Sequence, residues 1–454
     1  MYEKALELLR EKKYPQLREL LATMEAQDIA LLLEEADMDV VPRIYRILPK
    51  ELASEVFAEM DPDMQELLIK VFSDSELGEV LEEMFLDDTV DMIEEMPASL
   101  VKRILRVASS EKRRQINELL SYPEDSAGSI MTVEFVDLKQ DMTVKQAFSH
   151  LRKTAPDKET IYTCYVTDSR RRIIGIVSVK DLLLNKYETT IGEIMDPDVI
   201  YVHTHDDKEE VAKTIDKYDF LAIPVVDNED RLVGIVTIDD AIDVLTEEIE
   251  EDIAIMAAVT PSDEDYFKTS VWGHSKNRIL WLVILLLSST FTAMIITSYE
   301  KAMSALLVSF IPMIMGTGGN SGSQSSAMIV RGLATDEIKL KDFFKVFFKE
   351  LRIGLFVGIV LAVVNALRTW IMYELMYRND PAYAGYNIWT VSLVVGLTII
   401  GVVVLAKILG AVLPMLAKIL KLDPAIMASP LITTIVDACA VLLYFNIALL
   451  FLPI

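Results

Sequence analysis

The spacing of hydrophobic residues changes three times along this chain. Over the first 125 positions they recur at helical intervals, as at Leu6, Leu9, Leu17, Leu20 and Leu21 and again at Ile29, Leu32 and Leu33. Steps of three and four put such side chains on one face of a helix. Proline near a first turn marks further helix starts at Pro49, Pro62 and Pro97. Pro49 and Pro97 sit in similar apolar settings 48 residues apart, which hints at stacked helical hairpins. No alternating pattern competes, so residues 1–125 are expected to form an all-α superhelical domain.

From residue 126 the pattern becomes a duplicated α/β unit. RIIGIVSVKDLL (172–183) returns 59 residues later as RLVGIVTIDDAI (231–242). SIMTVEFVDLKQDMTVKQAF (129–148) matches EIMDPDVIYVHTHDDKEEVAKTI (193–215), with Met131 and Met195 as equivalent positions. Each copy reads as an extended apolar segment, a helix, and then an apolar strand running through glycine to a helix start. The copies are expected over 126–190 and 191–246. DDAIDVLTEEIEEDIAIMAAV (239–259) follows as a long helix. Its apolar stripe is Ile242, Leu245, Ile249, Ile253 and Met256, and Asp240, Asp243, Glu247 and Glu251 line another face. We expect a connecting segment over 247–275 that starts within 239–246.

Residues 276–454 carry five apolar spans of roughly the 20 residues a bilayer core needs. They lie near 279–298, 303–329, 354–376, 388–413 and 426–452, the second interrupted by glycine and polar residues. Orientation follows from the excess of Lys and Arg that cytoplasmic loops carry. Arg331, Lys339, Lys341, Lys345, Lys349 and Arg352 separate spans two and three, and Lys418 and Lys421 follow span four. The opposite connections offer Lys301 and Arg378. The N-terminal region is thus expected in the cytoplasm and the C-terminus outside.

Charge sharpens this division. Residues 1–270 hold 61 acidic and 30 basic residues, a net −31, whereas residues 271–454 carry +5. So acidic a region excludes nucleic acid as a partner, since phosphate binding needs a basic face, and favours cations. The two cysteines, Cys164 and Cys439, make no disulfide framework. The four histidines, His150, His203, His205 and His274, join no nucleophile or carboxylate in a catalytic constellation. No enzymatic activity is expected.

Three motifs carry candidate chemistry. G-x-x-[ST]-x-x-D occurs in both α/β copies, as Gly175/Ser178/Asp181 and Gly234/Thr237/Asp240. Hydroxyl and carboxylate at that spacing cap a helix, and they can also hold a sugar or phosphate. GTGGNSGSQSSAMIVRGLAT (316–335) follows Pro312 inside the second span. Polar, glycine-rich backbone at membrane depth either lines an aqueous cavity or lets helices approach closely. PLITTIVDACAVLLYF (430–445) places Asp437 as the ionisable residue of the last span. A carboxylate there needs water, a cation or a counter-ion; Arg368 and Lys407 are the counter-ion alternatives.

The paired α/β copies resemble tandem CBS domains. That resemblance makes Ser178, Lys180, Asp181, Phe220 and Thr237 candidates for holding an adenine nucleotide such as ATP. GTGGNSGSQSS with VRGLAT and PLITTIVD resembles the pore signature of the MgtE magnesium transporters, and the order of segments matches that family across nearly the whole chain. The resemblance implies a magnesium channel driven by the membrane potential, built as a homodimer in the plasma-membrane lipid. Its pore would lie between subunits, with Asp437 as ion ligand and Gly318, Gly319, Asn320, Thr433 and Thr434 lining it. It also implies feedback, in which cytosolic Mg2+ bound by acidic surfaces favours closure. The candidates are Asp87, Asp88, Asp91, Glu94 and Glu95 in the helical domain, and Glu209, Asp216 and Asp219 in the second CBS copy. On the connecting (plug) helix they are Asp240, Asp243, Glu247, Glu251 and Asp252. The rival is a CBS-regulated carrier of cobalt, nickel, manganese or a non-cationic solute.

Overall fold

The computed structural model describes residues 2–262, 266–299, 305–377, 387–427 and 429–452. Lys301, Arg378 and the first positions of the second expected span lie outside these residues. The chain forms two compact units, Met1–Thr246 and Glu247–Ile454.

The first unit opens with ten short helices: α1 Tyr2–Arg10, α2 Tyr14–Leu21, α3 Ala26–Glu34, α4 Val41–Tyr45, α5 Lys50–Ala58, α6 Pro62–Val71, α7 Asp74–Glu83, α8 Leu86–Glu95, α9 Ala98–Val107 and α10 Ser110–Leu119. Their starts follow from local chemistry. Pro49 and Pro97 stand immediately before α5 and α9, and Pro62 is the first residue of α6. Asp61 accepts from the Met64 N–H, and Ser73 and Glu76 close a reciprocal capping box on α7. The periodic residues Leu17, Leu21, Ile29, Leu32 and Leu33 are fully buried.

Each α/β copy is a three-stranded sheet. The first runs β1 (Asp137–Lys139), α11 (Val144–Thr154), β2 (Thr163–Thr167), β3 (Ile173–Ser178) and α12 (Val179–Leu184). After α13 (Ile191–Ile194) the second runs β4 (Val202–His203), α14 (Lys208–Tyr218), β5 (Ala222–Val226), β6 (Leu232–Thr237) and α15 (Ile238–Met256). In both, the first strand pairs parallel with the second and the second antiparallel with the third.

The copies exchange their lead-in segments. Thr132 pairs with Ile235 through two hydrogen bonds of 2.8 and 2.9 Å, and Asp196 pairs with Ile176 in the same way. The exchange accounts for the repeated glycines. A Cβ on Gly234 would meet Met131 Sδ at 2.7 Å, and one on Gly175 would meet Met195 Sδ at 2.7 Å. Side chains cannot approach that closely, so each glycine is the seat for the other copy's methionine. The core of the helical region continues into the second copy through Val211, Ile215, Ile223 and Val225, while the first copy keeps a separate core around Leu138, Val166 and Ile191.

The second unit is helical: α16 (Val271–Tyr299), α17 (Ala305–Val308), α18 (Ile311–Ala334), α19 (Phe343–Met372), α20 (Ile388–Ile419) and α21 (Ser429–Phe451). α20 lies centrally, against α18, α19 and α21. Among the described residues, four stretches are long and apolar enough to cross a membrane: Val271–Tyr299, Leu340–Leu375, Ile388–Ile419 and Pro424–Phe451. The second expected span, near 303–329, coincides largely with α18. α18 has 24 residues and the required length, but its Gly, Ser, Asn and Gln residues remove the apolarity. It also starts later than its hydrophobic pattern suggests, because Pro312 sets the first turn at Ile311.

Candidate functional site

Two groups of side chains in separate units carry the candidate chemistry. In the second unit, Pro430 is the second residue of α21, and both Thr433 and Thr434 donate their hydroxyl protons back to its carbonyl, at 2.8 and 3.0 Å. A hydroxyl that spends its proton on the helix presents oxygen lone pairs, which suits a cation. One turn on, half-buried Asp437 makes no hydrogen bond or ion pair among the described residues. Its carboxylate faces α18: a Cβ on Gly319 would lie 3.0 Å from Thr433 Cγ2 and 3.8 Å from Asp437 Oδ1. Gly318 packs beside it on Val402 and Val436, whereas Asn320 is exposed. Gly319, Thr433 and Asp437 are therefore neighbours, and Thr434 lies on the same first turn.

The counter-ion alternatives point elsewhere. The Arg368 guanidinium donates to Asn365 Oδ1 at 3.2 Å. Lys407 Nζ donates to the Ser325 hydroxyl at 3.2 Å and the Ser321 carbonyl at 3.4 Å. Neither reaches Asp437.

In the first unit, the start of α8 meets the lead-in of the first α/β copy and the start of α15. Glu134 accepts from the Leu86 N–H at 3.2 Å and from the Thr132 hydroxyl at 2.6 Å. The carboxylate thereby caps α8, where partial positive charge gathers. Asp87 is 6 % exposed. Burial, with the charges of Asp240, Asp88, Glu159 and Glu134 around it, holds its carboxyl well above the usual range. Burial, then the charges of Asp240, Glu59, Asp239 and Glu134, raises Asp88 to about 6, and burial, then Asp88, Asp239, Asp240 and Glu134, raises Glu159 to about 8. Asp240 is pushed up to about 6, chiefly by burial and then by Asp239, against the hydrogen bond from Thr237 that lowers it. The Glu159 Oε2 atom is buried without a partner. Lys112, 8 % exposed, donates to the Met84 carbonyl at 2.5 Å, and its ammonium faces Glu134, Asp87 and Asp88.

This junction brings together Asp87, Asp88 and Asp240 from the sequence candidates and adds Glu134, Glu159 and Asp239. Among the described residues no three His, Cys, Asp or Glu side chains converge closely enough to hold a metal ion by themselves. The junction is a crowd of like charges rather than a preformed cage. Asp91, Glu94, Glu95, Asp216, Asp219, Asp243, Glu247 and Glu251 are exposed on their helices, and Glu209 and Asp252 are half-buried. Glu209 pairs with Lys213 at 2.6 Å. Asp219 closes α14 in the left-handed conformation (φ 53°). Glu134 escapes a sequence reading because its partner, Leu86, lies 48 residues away.

Both copies of the G-x-x-[ST]-x-x-D motif act as caps. Ser178 and Asp181 form a capping box on α12, and the Thr237 hydroxyl donates to Asp240. Lys180 is exposed, and Phe220 stacks on Tyr218 with centroids 5.4 Å apart.

Comparison with known proteins accounts for both units. The family model described as MgtE, divalent cation transporter, matches residues 311–447. The MgtE intracellular N domain matches 24–125, and CBS domains match 127–187 and 191–247. A protein named magnesium transporter MgtE from Thermus thermophilus is 37% identical over 98% of this chain and 97% of its own. One of the same name from Enterococcus faecalis is 38% identical over 76% of this chain and 73% of its own. A crystal structure of the cytosolic domain of the Mg2+ channel MgtE in complex with ATP superposes with a TM-score of 0.51 at 39% identity, covering 54% of this chain and 100% of that one. The relatives are named as transporters, a non-enzyme class, and the four apolar stretches make this an integral membrane protein. With a relative alike over almost its full length and each segment matched in order, the chain belongs to the MgtE family.

Proposed function

We propose that this protein is a Mg2+ channel that admits the ion down the membrane potential and closes when cytosolic Mg2+ is high. The observation that carries this is the unpaired Asp437 carboxylate beside Gly319 and Thr433, within the segment matched as a divalent cation transporter. Mg2+ gives up its water reluctantly and favours octahedral oxygen coordination. In a homodimer with the pore between subunits, two copies of Asp437 would face a hydrated ion, with Thr433, Thr434, Gly318, Gly319 and Asn320 around them. The acidic unit lies in the cytoplasm and the C-terminus outside, as the basic residues around α18 and α19 favour.

Closure follows from charge. Crowded carboxylates at Asp87, Asp88, Glu134, Glu159 and Asp240 oppose a compact arrangement, and divalent ions relieve that repulsion. A ligand shifts such an equilibrium only through tighter binding to one state, and carboxylates on separate elements converge only in the compact one. Within the first unit Asp91, Glu94, Glu95, Glu209, Asp216, Asp219 and Asp243 are further cation-responsive acids, and on the continuing α15 helix Glu247, Glu251 and Asp252 are others. ATP is proposed as a ligand of the CBS pair, by likeness to the ATP-complexed relative. Lys180 would supply a cation and Phe220 an aromatic face. Ser178 and Thr237 are engaged by Asp181 and Asp240 through one carboxylate oxygen each, so the other oxygen of each carboxylate would accept from ribose hydroxyls.

Mg2+ uptake into proteoliposomes tests the reading, with wild type and Asp437→Ala at low and then high internal Mg2+. Uptake that needs Asp437 and stops at high internal Mg2+ supports both pore and gate. Uptake indifferent to Asp437 removes the ion site.

A further inference from the structure

α18 has an unusual problem. Where it passes Thr433 and Asp437 of α21, it presents Gly318, Gly319 and Gly322, while its larger residues Ile311 and Ile314 share a core with Val441 and Tyr444 farther along. Small residues let backbones approach closely, but they supply no side chain to lock one helix against sliding or turning on another. Discrimination between hydrated divalent ions needs Gly319 and Asp437 to keep a fixed separation. Along this glycine stretch a polar anchor beside it would hold the register.

The adjoining face of α18, toward α19 and α20, carries that device. The Ser325 hydroxyl donates to Glu350 Oε2 of α19 at 2.6 Å and accepts from Lys407 Nζ of α20 at 3.2 Å. Lys407 also donates to the Ser321 carbonyl at 3.4 Å, two residues along the helix from Gly319. All three side chains are buried: Ser325 is 2 %, Lys407 6 % and Glu350 9 % exposed. Packing alongside is tight, because a Cβ on Gly410 would lie 2.4 Å from the Gly322 carbonyl. An ammonium, a hydroxyl and a carboxylate from three helices thus meet at one point. Their charges cancel, so the group adds little field at Asp437. Fixing register is the best-attested use of buried polar groups, which seldom repay their desolvation in stability alone.

We propose that Lys407, Ser325 and Glu350 are positioning residues that set the register of α18 against α21, and so the discrimination among divalent cations at Asp437. The proposal rests on Asp437 as the ion site. It gives Lys407 a task other than neutralising that carboxylate.

The test uses full-length protein in proteoliposomes, measuring Mg2+ and Ca2+ flux and the melting temperature in detergent. The variants are Lys407→Met, Lys407→Met with Glu350→Gln, and Ser325→Ala. Lys407→Met leaves Glu350 buried without its cation and lowers melting. The double variant removes both charges and regains melting, but its Ca2+ to Mg2+ flux ratio stays about tenfold above wild type. Ser325→Ala, which keeps both charges and fills no new space, shifts the ratio in the same direction. A double variant that regains both melting and ratio reduces the group to a structural charge pair and overturns the proposal. So does a ratio unmoved in Ser325→Ala and the double variant while wild type carries Mg2+. Absence of Mg2+ flux in wild type would instead remove the ion-site reading beneath it.

Discussion

Asp87, Asp88, Glu134, Glu159 and Asp240 crowd one junction of the cytoplasmic unit, with Lys112 as the cation turned toward them. In the membrane unit, Glu350 and Lys407 are buried, and a single hydroxyl links carboxylate to ammonium. The first set is out of balance and can be satisfied from outside, by protons or cations. The second is satisfied from within and has no reason to respond to either. Unbalanced buried charge suits the proposed sensor, and balanced buried charge suits the proposed fixed part.

The contrast breaks most visibly at the balanced set. Glu350→Ala should destabilise the membrane unit by about 3–5 kcal/mol, the cost of removing one partner of a buried pair, read as a lower melting temperature in detergent. A change under 1 kcal/mol would mean that Lys407 is already solvated. Next comes pH. Carboxyls raised to about 6 at Asp88 and Asp240, and to about 8 at Glu159, bind protons more tightly folded than unfolded. The folded state then holds more protons between about pH 4 and pH 8, so stability is present below that window and lost as pH rises through it. Metal-free cytoplasmic unit should melt progressively lower toward pH 8, and millimolar Mg2+ should flatten the curve. A metal-free melting temperature constant across the window would contradict the crowding. The smallest effect sharpens the comparison by its sign. Glu159→Gln should raise metal-free stability at pH 8 by about 1 kcal/mol, since it removes an unpartnered like charge. Removing an acid would thus stabilise one unit and destabilise the other.

Much of this was legible along the chain. Helical spacing placed Leu17, Leu21, Ile29, Leu32 and Leu33 in a core, and the 59-residue repeat revealed the two α/β copies. PLITTIVD placed Asp437 in the last span. Where the reading fell short, the cause was distance in sequence. Lys407 stood out as an intramembrane cation, yet its partner Glu350 sits in FKELR, among basic residues, and reads as an interfacial charge. Glu134 looks like an ordinary strand-edge acid until the helix whose N–H it accepts is brought to it. α18 itself was legible as the span near 303–329, although its glycine and polar residues keep it less apolar than the other four.

The exchange of Met131 and Met195 between copies bears on how the CBS pair came to exist. Expressed alone, either copy would leave an unfilled glycine seat and an unpaired stretch on its last strand, an edge that invites another chain. A single repeat could satisfy itself by doubling with an identical one, each lending the other its lead-in segment. The tandem arrangement is what such a pair becomes once joined end to end, so the two copies should unfold in one step and resist separation into independently folding halves.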